Sequence, residues 1–142
     1  VSRHDETLLF SPSASLRMPS IDSVPCQTRS MNALGYIGAI ISVVAGVLGF
    51  VWPQRVSAVI GLRLPGLLGV SEFRATYGGL FIGGGAAVLV LQSGDAAAVL
   101  GCGWGGAFVA RAISLVIDKS RSKENIAGLV IEAVVASLLL FA

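Results

Sequence analysis

The chain alternates between long apolar runs and short polar joints from residue 31 onward. A helix needs roughly 20 residues to cross about 30 Å of hydrocarbon, and four runs approach that length. They cover residues 33–52, 73–91, 96–117 and 126–142. Because the joints at 92–95 and 118–125 are short, consecutive helices are expected to lie antiparallel. The pattern predicts an all-α fold, a four-transmembrane-helix bundle of up-down antiparallel topology.

The joint between the first two runs, residues 53–72, is longer and amphipathic. Its apolar and basic residues at helical spacing are Val56, Val59, Ile60, Arg55 and Arg63. Such a mixture is typical of helices that rest in the membrane interface. The spacing predicts a short interfacial helix, which the Pro65-Gly66 pair interrupts.

Residues 1–30 form a different kind of segment, rich in Ser, Pro and charge. They show no sustained helical or strand period, so a disordered polar N-terminal tail is expected ahead of a transmembrane domain at 31–142. Met31 stands directly before the first apolar run. This position favours Met31 as the translation start, with the tail not translated.

Composition supports the choice of lipid as the solvent. Hydrophobic residues make up 54% of the chain and charged residues 13%, whereas a soluble domain carries about 25% charged residues. A domain of this size cannot bury so much apolar surface in water. The net charge is +2, but the basic residues flank the apolar runs, so no nucleic-acid partner is expected.

Few residues are suited to hold a metal or cofactor. The single histidine is His4, and the two cysteines, Cys26 and Cys102, lie in segments of different character. We therefore expect no metal site, no disulfide and no cofactor.

Lysine and arginine in short loops predict orientation, because they are retained on the cytoplasmic side. The joints after the first and third runs hold most of them: Arg55, Arg63, Arg74, Lys119, Arg121 and Lys123. Only Arg29 lies near a run on the opposite side. We expect a multi-pass protein of the bacterial inner membrane, with both termini outside.

Glycines at four-residue spacing predict close helix packing in lipid. The pairs Gly79/Gly83 and Gly101/Gly105 fit this motif, and Gly128 lies in the fourth run. We favour helix packing within the chain over a dimer face or a ligand groove.

Two charged residues fall well inside the apolar runs. Arg111 lies six residues before the end of the third run and Glu132 six residues after the start of the fourth. At about 1.5 Å per residue, both lie roughly 9 Å from the same boundary and can pair. Neighbours at helical spacing extend this candidate polar cluster: Glu72, Arg74, Tyr77, Trp104, Ser114 and Asp118.

The cluster has three interpretations. The favoured one is structural, in which the charges fix the register of the helices. The alternative is a proton-coupled or small-solute transport component that uses the Arg111/Glu132 pair. An enzyme is not expected, because no nucleophile with a base accompanies the charges. Partners are then the bilayer and either further copies of the chain or a larger membrane complex.

Three segments together resemble one known family. They are SEFRATYGGLFIGGGAA at 71–87, GWGGAFVARAISLVID at 103–118 and NIAGLVIEAVVA at 125–136. Their order is similar to that of the domain of unknown function 4345 family, small bacterial membrane proteins with four spans. The resemblance covers Met31 to Ala142 and implies a fold and a membrane location, but it transfers no catalytic residue. The residues that match its recurring pattern are Glu72, Arg74, Tyr77, Trp104, Arg111, Asp118 and Glu132.

Overall fold

The computed structural model describes residues 29–142, so the predictions for the tail, including His4 and Cys26, lie outside the described residues. The helices are α1 (Ala33–Val51), α2 (Pro53–Val59), α3 (Gly66–Phe73), a π-helical segment (Arg74–Leu80), α4 (Phe81–Leu91), α5 (Gly94–Ile117) and α6 (Lys123–Leu140). The one extended pairing in this range is an isolated bridge between Ser30 and Ser93. The predicted all-α class is confirmed for this part of the chain.

Three of the helices are long and apolar enough to cross a membrane. They are α1, the continuous helix Gly66–Leu91 and α5. The 18 residues of α6 carry three charges, Lys123, Glu124 and Glu132, and α6 is not among the three. Many large apolar side chains on the outside of the bundle are exposed, as expected for a surface that lipid covers.

The second apolar helix begins earlier than the predicted residue 73. Pro65 is its N-cap and Gly66 its first residue, and the helix then runs without a break through the π segment into α4. A single exposed carboxylate, Glu72, does not end a helix, and the apolar residues before it extend the element toward Pro65. The start of the second apolar helix was therefore predicted too late in the chain.

The predicted short helix in the joint after α1 is α2. Pro53 occupies its first turn, where its missing N–H is harmless. At its end Gly61 has φ +77°, and the N–H groups of Gly61 and Leu62 donate to the carbonyls of Ala58 and Ser57. These two bonds form a Schellman motif, which turns the chain away from α2.

α1 lies between two other parts of the bundle, with the π segment and α4 on one side and α6 on the other. A row of small buried residues allows this: Gly35, Gly38, Ser42, Gly46 and Gly49. A Cβ at Gly46 would lie 2.7 Å from the backbone nitrogen of Ile82, and one at Gly49 would lie 2.9 Å from the carbonyl oxygen of Tyr77. The helix backbones are therefore in direct contact, a packing mode typical of membrane helices.

The glycines predicted to pack helices coincide only in part with those that contact another helix. Of the predicted set, Gly101 packs against Leu139 of α6, whereas a Cβ at Gly83 or Gly105 would meet nothing within 4 Å and one at Gly79 only the Arg74 carbonyl at 3.8 Å. Two other glycines of the second helix contact α1 instead. They are Gly78, against Phe50, and Gly85, against Ala39 and Val43.

The π segment lies within the part of the second helix that contacts α1. Buried residues along the second helix are Phe73, Gly78, Gly85 and Val88, and the step of five from Phe73 to Gly78 crosses the π segment. A π turn takes more residues than an α turn, so it moves the following side chains around the helix. The pattern Gly79/Gly83 assumed an uninterrupted α-helix and was wrong as a contact within the chain.

Hydrogen bonds bring both ends of the described chain together. Asn32 Nδ2 donates to the carbonyl of Phe141 at 2.7 Å. The N–H of Gly94 in the α4–α5 turn donates to the carbonyl of Arg29, also at 2.7 Å. Arg29, two residues before the predicted domain boundary, therefore already contacts the α4–α5 turn. At the opposite end, Gly61 after α2 lies beside Glu124 at the start of α6.

Candidate functional site

The centre of the candidate site is an ion pair between α5 and α6. Nη2 of Arg111 lies 2.8 Å from Oε1 of Glu132, and Nε lies 3.0 and 2.9 Å from Oε1 and Oε2. The side chains are 24% and 9% exposed, respectively. Within residues 29–142 this is the only ion pair. A forked contact of this kind fixes both the distance and the orientation of the two helices.

Asn125, which was not among the predicted site residues, is a second hydrogen-bond partner of the Arg111 guanidinium. Its Oδ1 accepts from Nη1 of Arg111 at 2.7 Å, and its Nδ2 donates to the carbonyl of Ser120 at 2.7 Å. Asn125 lies seven residues before Glu132, so the two share one face of α6. That spacing was a usable signal for the third member of the network.

The first turn of α6 holds Asn125 in place. Ser122 is the N-cap, and its hydroxyl accepts from the N–H of Asn125 at 3.2 Å. The neighbouring Glu124 carboxylate accepts hydrogen bonds from its own backbone N–H and from the Ser122 side chain, and these bonds lower the pKa of Glu124. An acidic residue in the first turn also interacts favourably with the helix dipole.

Gly128 makes room for the guanidinium. A Cβ at this position would lie 2.8 Å from Cζ of Arg111 and 3.1 Å from Nε and Nη1. Gly128 lies three residues after Asn125 and four before Glu132, so all three face α5. The predicted packing glycine therefore accommodates a charged side chain.

All the polar atoms of this network are engaged. Each nitrogen of the Arg111 guanidinium donates to Glu132 or Asn125, and both Glu132 oxygens accept. In the described part of the chain, every buried side-chain nitrogen and oxygen has a hydrogen-bond partner. A paired charge in a medium of low dielectric is held strongly, because neither partner can regain water without breaking the contact.

Four predicted members of the cluster lie apart from this network. Glu72 and Asp118 are exposed, and neither forms an ion pair with any residue between 29 and 142. Arg74 Nε donates to the carbonyl of Phe50 at 3.0 Å and so caps the end of α1. Ser114 contributes its carbonyl, which accepts from the N–H of Asp118 at the end of α5. The expected meeting of two arginines with three carboxylates was wrong, because Arg74 is bound to the end of α1 and Glu72 and Asp118 face outward.

The two remaining members belong to a row of aromatic rings. Tyr77 stacks on Phe73 with centroids 4.6 Å apart and meets Phe81 edge-on at 5.9 Å. Phe81 in turn lies 4.7 Å from Trp104 of α5. Such contacts add to the stability that burial alone provides. The row joins the second helix to α5 through its side chains.

Trp104 also joins α5 to α1. Its indole N–H donates to Oγ of Ser42 at 3.0 Å, and that hydroxyl donates to the carbonyl of Gly38 at 3.0 Å. Both side chains are buried. Ser42 was not among the predicted site residues, because nothing in the local pattern connects residues 62 positions apart.

Gly128→Ala is expected to lower the unfolding free energy by about 1 kcal/mol, because the guanidinium must move from its partners. The measurement is unfolding by SDS in detergent micelles. Gly105→Ala is the control, since no atom lies within 4 Å of its added Cβ, and it should cause no loss. Equal losses in both variants would show that Gly128 has no special relation to Arg111.

The fold and the candidate site together define a class of protein. Residues 29–142 form an all-helical domain with three helices of membrane-spanning length and an ion-paired polar network between α5 and α6. The chain belongs to the family described as Domain of unknown function (DUF4345), which matches residues 30–142. Comparison with curated proteins and with solved structures gives no match.

Proposed function

We propose that the protein is a non-enzymatic integral membrane protein of the bacterial inner membrane, acting as an accessory or structural component. The observation that carries this proposal is the closed network of Arg111, Glu132 and Asn125, in which each polar atom is already bound to another. A network in which every guanidinium nitrogen and both carboxylate oxygens already have a protein partner suits a role in fixing helices rather than one in binding a substrate.

In this proposal α6 is a fourth span. Lys123 and Glu124 lie in its first turn, at the level of the interface, and Glu132 is neutralised by Arg111. The remaining residues are mostly apolar, and pairing removes most of the cost of a charge within lipid. The contacts of Asn32 with Phe141 and of Arg29 with Gly94 support an up-down arrangement.

The proposed orientation places the basic joints in the cytoplasm and both termini outside. The bilayer is the first partner. Gly79, Gly83 and Gly105 leave open surface on the second helix and α5, where another helix of a homo-oligomer or a larger membrane complex can approach closely. No nucleic-acid partner is proposed.

A second candidate is a proton-coupled or small-solute transport component. The observation that favours it is that Arg111 stays 24% exposed, so a polar solute can reach one edge of the pair. In that case Glu132 would exchange a proton whenever Arg111 moved away. The closed hydrogen bonding of both Glu132 oxygens argues for the structural role instead.

Proton flux into vesicles separates the two candidates. Wild type and the double variant Arg111→Gln/Glu132→Gln are reconstituted in vesicles with a trapped pH indicator, and a potassium diffusion potential is imposed. The structural account expects both proteins to match protein-free vesicles. Flux through wild type that the double variant lacks, with both proteins folded, would establish transport and overturn the structural account.

A further inference from the structure

The joint between α1 and the second spanning helix has a surface unlike a water-exposed loop. We call residues 53–68 the elbow; it comprises α2, the turn after it and the first residues of α3. Val59, Leu67 and Leu68 are 73%, 89% and 72% exposed. At 1.5 Å per residue, the 26-residue helix Gly66–Leu91 is about 39 Å long, beyond the ~30 Å of hydrocarbon. Because the charged Glu72 and Arg74 lie near its start, the excess length, and with it the first turn, belongs at the membrane interface.

Two arginines lie among these apolar side chains. Arg55 in α2 and Arg63 in the following turn are both exposed, and neither side chain forms a hydrogen bond or ion pair with any residue from 29 to 142. A guanidinium offers five N–H donors in a planar fork that matches the oxygens of a phosphate group. Their donors are therefore free beside the apolar surface of Val59, Leu67 and Leu68.

The surrounding charges favour an anionic occupant. The basic residues at this end are Arg55, Arg63, Arg74, Lys119, Arg121 and Lys123, and the acidic ones are Glu72, Asp118 and Glu124. Six positive charges against three negative ones leave a surplus of three. Arg74 is already bound to the carbonyl of Phe50. A phospholipid supplies both components that the elbow lacks, a phosphate for the arginines and acyl chains for the leucines.

We propose that the elbow lies in the headgroup region of the adjacent leaflet and binds anionic phospholipids through Arg55 and Arg63. The exposed Val59, Leu67 and Leu68 enter the boundary between headgroups and acyl chains, as in amphipathic anchors. The arginine side chains extend from there to the headgroup phosphates. Each arginine is expected to raise the preference for an anionic lipid about fivefold.

Trp52 is a native reporter for this site. It is 48% exposed between α1 and α2, and its carbonyl accepts from the N–H of Arg55 at 3.1 Å. The other tryptophan, Trp104, is buried between helices. Subtracting the emission of a Trp52→Phe variant isolates the signal of Trp52.

The experiment uses vesicles of equal parts phosphatidylglycerol and phosphatidylcholine, with acyl chains brominated on only one of the two lipids. Bromine quenches tryptophan on contact, so the comparison reports which lipid lies at the elbow at constant surface charge. Brominated phosphatidylglycerol should quench Trp52 severalfold more than brominated phosphatidylcholine. In Arg55→Gln/Arg63→Gln the difference should vanish.

Lys119→Gln/Arg121→Gln is the matched control, because it removes the same charge at the same end and should keep the lipid preference. Equal quenching by the two brominated lipids in wild type would overturn the proposal, as would an equal loss of preference in both double variants. Absence of quenching by either lipid would also overturn it, and would indicate that protein, such as a second copy, covers the elbow.

Discussion

Glu132→Gln is expected to lower the unfolding free energy by about 3 kcal/mol, since it leaves the Arg111 guanidinium desolvated and without its counter-charge. Arg111→Gln should cost a similar amount, because the Glu132 carboxylate is the more buried partner, at 9% exposure. The measurement is SDS-induced unfolding in mixed micelles, followed by circular dichroism. Arg111 is partly exposed, which places the expected loss at the lower end of the range for buried pairs.

The double variant Arg111→Gln/Glu132→Gln should recover most of this loss, because two neutral amides can hydrogen-bond to each other and to Asn125. Glu72→Gln is the control, since Glu72 is exposed and forms no ion pair in the described chain. It should change stability by less than about 0.5 kcal/mol. If the two single losses simply add in the double variant, the pair does not hold α5 to α6.

Alanine substitutions at two glycines of α4, two residues apart, are expected to change the unfolding free energy in opposite directions. In Gly85→Ala the new Cβ would lie 2.8 Å from the carbonyl oxygen of Ala39 and 2.7 Å from Cγ2 of Val43. The carbonyl belongs to the backbone of α1, so the helices must separate, at a cost of about 2 kcal/mol. In Gly83→Ala the Cβ meets nothing within 4 Å, so helix propensity should add up to about 1 kcal/mol.

The same micelle unfolding measurement tests this pair of variants. Val43→Ala in the Gly85→Ala background serves as a relief variant, since it removes the side-chain part of the clash and leaves the contact with the Ala39 carbonyl. It should recover only part of the loss. Destabilisation by Gly83→Ala comparable to that of Gly85→Ala would contradict the assignment of the α1 contact to the Gly78/Gly85 face alone.

The extent of each helix followed well from hydropathy, with one exception. The predicted runs 33–52, 96–117 and 126–142 lie close to α1, α5 and α6, because lipid requires long unbroken apolar stretches. The second run was placed from residue 73, since Glu72 was taken as a boundary. Pro65 is the actual boundary, because its ring excludes the preceding residue from the helix.

The inward face of the second helix was not predictable from spacing. The π segment Arg74–Leu80 rotates the residues that follow it, and no residue in RATYGGL marks a π turn in advance. At the contact with α1 lie Gly78 and Gly85, and not the predicted Gly79 and Gly83. A visible pattern was passed over in α1 itself, where Gly35, Gly38, Ser42, Gly46 and Gly49 recur every three or four residues.

The contact between Arg111 and Glu132 could be predicted, because two opposite charges at equal depth in neighbouring helices have few alternative partners. Asn125 and Gly128 lie on the same face of α6 as Glu132, so helical periodicity could have predicted them as neighbours of the ion pair as well. The separate positions of Glu72, Arg74 and Asp118 depend on how helices rotate against each other, which a single sequence does not record. The same holds for the bond between Trp104 and Ser42.

The most direct test of the proposed four-span topology is cysteine labelling in intact cells, with Cys26 and Cys102 removed. Asp95→Cys reports on the α4–α5 turn and Ser120→Cys on the joint before α6, and both residues are exposed. An impermeant maleimide should label position 95 but not 120 until the membrane is opened. Labelling of 120 alone would contradict the proposed orientation, and labelling of both or neither would contradict a span between them.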